Sequence, residues 1–199
     1  LKFHKFISVI LHPIVIPTIG VLLFLSITPN EIKKERQYLL ISLVFFSTYI
    51  IPLISLIILK TLGVIKSFQV ESINERKIPL FIMLLLFYVL GKVLINIPDF
   101  TELGVLFYGT NVSLAFIYLL FLFKIKSSLH IMSLSTALGF FILYGNLHSI
   151  SILPIAILLI ILTGVLASSR LYLKAHNQKE IYLGFFIGLL GQFIGYSLL

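Results

Sequence analysis

Ser169, Arg170, His176 and Glu180 stand within one twelve-residue stretch between two long apolar segments. His130 follows Ser127 and Ser128 at the head of another apolar segment, and Arg76 stands three residues ahead of Pro79 at the head of a third. The planar fork of arginine matches the oxygens of a phosphate. An imidazole can attack phosphorus, or pass a proton near neutral pH, because its free pKa is about 6.5. His176 and Glu180 are four apart, so they are neighbours on one face if a helix begins by then. A carboxylate on one ring nitrogen fixes the tautomer and leaves the other nitrogen to attack. These are the groups needed to hold a phosphate and displace it. Each also has a plainer reading. Arg170, Arg76 and Lys77 would snorkel to the membrane interface, His130 would be an interfacial histidine, and His176 and Glu180 would be a pair in a solvated loop.

The class of the chain follows from its composition. Of 199 residues, 59% are hydrophobic and 11% charged, against about 45–50% and about 25% in soluble domains. This predicts an integral membrane protein of one domain, 1–199. There is no cysteine, which excludes a disulfide framework, a zinc–thiolate site and a cysteine nucleophile. The histidines lack metal-ligand spacing and only seven residues are acidic, so no metal site is expected. No Gly-rich phosphate loop follows a strand, so no nucleotide cofactor is expected. The net charge of +8 comes from basic residues flanking apolar segments, as membrane topology requires, and not from a nucleic-acid surface.

Apolar runs of about 17–25 residues cross a bilayer as helices. Seven are predicted, over 6–27, 38–58, 80–97, 104–122, 130–146, 151–171 and 181–199. The first is too long for a signal-peptide core and shows no small-residue cleavage site, so it reads as a retained helix. Turn signals stand at Pro29-Asn30, Pro98-Asp99 and Gly145-Asn146. Alternate crossings put 59–79, 123–129 and 172–180 on one face, which gathers Arg76, His130 and His176. The third, fifth and seventh helices begin on that face, and three helix N-termini form an anion site. Pro79 would sit in the first helical turn, and Ser127 or Ser128 would cap the fifth helix. Eleven Lys and Arg lie on that face and three on the other, which assigns it to the cytoplasm. Lys92, inside the third span, needs a partner or a snorkelling path. Tyr108, Asn111 and Gln192 read as interhelical hydrogen-bond partners. His4, His12 and His148 read as interfacial, with no assigned role.

This pattern resembles the type 2 phosphatidic acid phosphatase (PAP2) superfamily of membrane lipid phosphatases. That family carries Lys-x6-Arg-Pro, Pro-Ser-Gly-His and Ser-Arg-x5-His-x3-Asp. Ser169-Arg170, His176 and Glu180 match the third, with Glu in place of Asp. Ser128 and His130 match the second, with Leu129 where the motif has Gly. Arg76 matches the first, while Gln69 stands where Lys belongs and Pro79 comes two residues late. The segment from Val70 to Phe81 looks like a divergent, Bacteroidetes-type branch. The resemblance covers about 70–199. It implies an all-α, polytopic membrane bundle of about seven helices with a PAP2-like core. It implies His176 as nucleophile, Glu180 as its orienting carboxylate and His130 as general acid, then base. Arg170, Arg76 and Ser128 would bind phosphate oxygens. It also implies a bacterial inner-membrane enzyme with an extracytoplasmic site, opposite to the charge distribution.

The expected activity is hydrolysis of a lipid phosphate or polyprenyl diphosphate through a phosphohistidine, with no metal, cofactor or nucleic acid. Two other readings stand beside it. One is a catalytically inactive PAP2-like subunit or lipid-binding module. The other is a transporter, for which Lys92 and the proline-bearing helices speak.

Overall fold

The computed structural model describes residues 1–28, 32–68, 70 and 72–199. The Pro29-Asn30 turn signal and Gln69 lie outside the described residues. All regular structure among the described residues is helical. The helices are α1 (Lys2–Ile10), α2 (Ile16–Ile27), α3 (Lys34–Phe45), α4 (Ile51–Thr61), α5 (Ile73–Ile95), α6 (Thr101–Leu122), α7 (Leu129–His148), α8 (Leu153–Tyr172) and α9 (Gln178–Ser197). A π-helical turn, Phe46–Ile50, joins α3 to α4 just ahead of Pro52. Together they make one rod, Lys34–Thr61.

Five helical segments are long and apolar enough to cross a membrane: Lys34–Thr61, Ile73–Ile95, Pro98–Leu122, Leu129–His148 and Leu153–Tyr172. The expected first span, 6–27, is not one helix. It breaks over 11–15, where Pro13 cannot donate a backbone hydrogen bond and Pro17 suits only the first turn of α2. The expected seventh span is a 20-residue helix, α9, but four glycines, Gln192 and a polar first turn keep it out of the set of five. Two further expectations are corrected. α5 begins at Ile73, so Pro79 lies inside the helix and not in its first turn. Ser72 caps it instead, its hydroxyl accepting from Glu75 N–H at 3.3 Å. Gly145-Asn146 is not a turn, because α7 runs on to His148 and the chain reverses at Ser149, which is left-handed.

α7 is the centre of the bundle, with 72% of its apolar window buried. It can be central because α9 meets it with a ladder of glycines. A side chain on Gly184 would stand 2.5 Å from the Ser128 carbonyl, and one on Gly188 would stand 2.3 Å from the Met132 carbonyl. Farther along, Gly191 faces the Ser113 hydroxyl and Gly195 faces Gly109 on α6. Apolar side chains gain nothing by leaving lipid tails, so close backbone approach between small residues drives such packing. The buried amide of Gln192 adds a bond from Nε2 to the Leu106 carbonyl at 3.0 Å. This matches the interhelical role read from sequence. Lys92 sits exposed in the last turn of α5, where its chain can snorkel to the helix end.

Candidate functional site

Asn177 starts the local logic of the site. Its side-chain oxygen accepts from Glu180 N–H at 3.0 Å and so caps α9. Its amide donates to Glu180 Oε1 at 3.2 Å. Glu180 Oε2 then lies 2.5 Å from His176 Nδ1. The cap holds the carboxylate, and the carboxylate holds the ring. Because Nδ1 carries the proton toward Glu180, Nε2 is left with a lone pair. His176 itself is buried. Burial first, then the charges of Arg170, Arg76 and Lys126, push its pKa down to about 3. The ring is therefore neutral at physiological pH, the state a nucleophile needs.

The same turn is tied to α7. The Glu180 carbonyl accepts from Ser128 N–H at 3.1 Å. Ser128 occupies the N-cap position of α7 but its hydroxyl makes no capping bond, contrary to expectation. Its Oγ is buried without a partner among the described residues. Ser128 does not line the cavity, and its backbone serves the α7–α9 contact. His130 lies in the first turn of α7, and its Nε2 donates to the Ser8 carbonyl at 3.2 Å. That bond leaves Nδ1 for proton exchange.

A cavity of about 170 Å³ joins these elements. His130, His176, Arg76 and Arg170 all line it. Arg76 enters from the first turn of α5, where its Nε donates to the Val70 carbonyl at 2.7 Å. Arg170 enters from the last turn of α8, with its Nε buried and unpartnered among the described residues. The remaining walls are mostly apolar and include Leu56, Leu59, Leu80, Met83, Phe87 and Leu106. One end of the space is cationic and imidazole-lined, while the rest is oily. Four of the six expected site residues share the cavity, Glu180 stands directly behind one of them, and Ser128 is set apart.

Sequence reading missed four contributors. His12 lines the cavity and its ring meets His130 edge to face, with centroids 5.0 Å apart. Lys126 donates to the Ala175 carbonyl at 3.3 Å, beside His176. Asn177 was legible as the start of Asn-x-x-Glu ahead of an apolar run, a helix-start signature. His4 stacks on Tyr172 at 4.1 Å and donates from Nδ1 to the Ser169 hydroxyl at 3.1 Å. The proton of that hydroxyl is committed to the Val165 carbonyl. Ser169 therefore docks α1 on α8, beside Arg170. Among the described residues no group of three His, Cys, Asp or Glu is placed to hold a metal.

No protein-family model, curated protein or solved structure matches this chain.

Proposed function

We propose that the protein is a membrane phosphatase of the type 2 phosphatidic acid phosphatase superfamily, acting on a lipid phosphate or polyprenyl diphosphate. The observation that carries this reading is the His176–Glu180 pair at the cationic end of a cavity whose other walls are apolar. Its seven-helix topology would count α2 and α9 as the spans added to the five long apolar segments. The phosphate would lie against Arg76 and Arg170, with the tail along the oily walls. His176 Nε2 attacks phosphorus, a P–N bond forms and the bond to the leaving oxygen breaks. His130, protonated on both nitrogens while the anionic substrate is bound, gives that oxygen its Nδ1 proton. It then takes a proton from water, which attacks the phosphohistidine, breaks the P–N bond and releases orthophosphate. Such chemistry needs in-line positioning and charge stabilisation above all. Glu180 balances the imidazolium that appears on His176.

The test is orthophosphate release from lipid phosphate monoesters and prenyl diphosphates in mixed micelles by purified protein. Wild type should turn over and form an acid-labile phosphoprotein, and His176→Ala should do neither. A second reading, an inactive lipid-phosphate-binding subunit, is favoured by Leu129. It lines the cavity where the family motif has glycine. Binding of the lipid phosphate without turnover by wild type would select it.

A further inference from the structure

His12 does not belong to any of the three motifs, yet it stands in the same cavity as His130, Arg170 and His176. The break between α1 and α2 puts it there. Pro13 and Pro17 end one helix and start the next, and the connection turns its side chain inward. The ring is held from two sides. Its Nδ1 accepts from Ile14 N–H at 3.4 Å. Its plane lies at 80° to the His130 ring with centroids 5.0 Å apart. The segment just before it is also anchored to His130, through the Ser8 carbonyl on Nε2. A ring that accepts at Nδ1 is neutral and carries its proton on Nε2. That N–H makes no hydrogen bond among the described residues, while Nδ1 is occupied by Ile14 N–H.

We propose that His12 is a third histidine of this site, a substrate-binding residue whose Nε2–H donates to a phosphoryl oxygen. The proposal rests on the phosphate-site reading given above and extends it to a residue from the N-terminal segment. The role differs from that of the arginines. His12 contributes a directed neutral donor, where Arg76 and Arg170 contribute charge. It also gives the break in the first apolar segment a role, because the 11–15 connection is what carries His12 to the cavity.

Orthophosphate and orthovanadate are the probes, with binding to detergent-solubilised full-length protein read by thermal shift and by titration calorimetry. His12→Ala should weaken binding of both by about tenfold, the usual scale for one bond to a charged acceptor. His12→Asn retains a side-chain N–H and should recover at least part of that loss. A purely structural role would not be rescued in this way. Melting temperature without ligand tracks folding of each variant. In turnover, His12→Ala should raise KM more than it lowers kcat. Binding by His12→Ala equal to wild type, with binding lost in Arg170→Ala, overturns the proposal and leaves the phosphatase reading standing. Weakened binding in His12→Ala, in a wild type that binds phosphate but hydrolyses no ester, supports the proposal and removes the phosphatase. Absence of binding by wild type overturns both.

Discussion

Gly184→Ala tests whether the helix core sets the geometry of the site. The added methyl would stand 2.5 Å from the Ser128 carbonyl oxygen, where ordinary contact begins near 3.4 Å. The two backbones must therefore separate by about 1 Å, because tightly packed interiors leave no slack. The carbonyl cannot swing aside cheaply, since it accepts from Met132 N–H at 3.0 Å in the first turn of α7. His130 lies two residues beyond Ser128, and Glu180 lies one helical turn before Gly184. The displacement therefore falls between His130 and the His176–Glu180 pair. A misplacement of about 1 Å can lower a rate by about 100-fold, and overpacking costs about 1–3 kcal/mol of stability. The assay is kcat/KM for orthophosphate release, with the melting temperature of the same preparation. Gly164→Ala on α8 is the control, because nothing lies within 4 Å of the added methyl. It should keep full activity and gain about 0.5–1 kcal/mol from helix propensity. Turnover of Gly184→Ala within twofold of wild type would show that the α7–α9 contact does not set the site.

Glu180→Gln should keep the fold and lower kcat by about 10- to 1,000-fold, because the imidazolium loses its counter-charge; a wild-type rate would remove the His–Glu pair from the mechanism. Arg170→Lys should impair phosphate release by about tenfold or more, because a point charge cannot copy the bidentate fork, and unchanged kinetics would mean Arg170 only anchors the helix end. His176 has a folded-state pKa of about 3 against 6.5 for a free ring. Protons thus bind the unfolded chain first, so stability present above pH 6.5 should fall as pH drops toward 3. His176→Asn should flatten this acid decline in melting temperature, and parallel curves for the two proteins would contradict the assignment. Ile65→Ala should loosen the loop that holds Arg76, raising KM several-fold while the phosphohistidine still forms at saturating substrate; an unchanged KM would mean that Arg76 is placed by α5 alone.

What was legible in the sequence had local causes. The five long apolar segments announced themselves by length. The His176–Glu180 contact followed from a four-residue spacing at a helix start. Pro79 competes as a start signal for α5, but Ser72-x-x-Glu75 is the stronger one and the one the chain uses. The glycines of α9 were visible, but their meaning depended on which carbonyls they would meet. His12 was hidden for a related reason. Pro13 and Pro17 stand inside a segment that reads as one retained helix, and the direction in which the chain turns there is set by the docking of α1 on α8 through His4, Ser169 and Tyr172. No periodicity encodes that contact.

The site is consequently built from two kinds of support. His176, Glu180 and His130 are fixed by the glycine contacts of α7 and α9, so their mutual geometry shares the rigidity of the bundle centre. Arg76 is held differently. Its Nε is bound by the Val70 carbonyl, and Val70 has φ +45°, a left-handed conformation that costs a branched residue energy. Val70 is kept there by a small separate cluster with Leu59 and Ile65, packed on Leu56 and Ile82. Leu56, Leu59, Val70 and Ile82 also line the oily part of the cavity. The wall that would touch a lipid tail is therefore the same wall that positions the Arg76 guanidinium. A tail packed against it would stabilise the strained Val70 and bring Arg76 to the headgroup. Binding energy from a remote, non-reacting part of the substrate would then assemble the charge that the transition state needs, while His176 and Glu180 stand already in place.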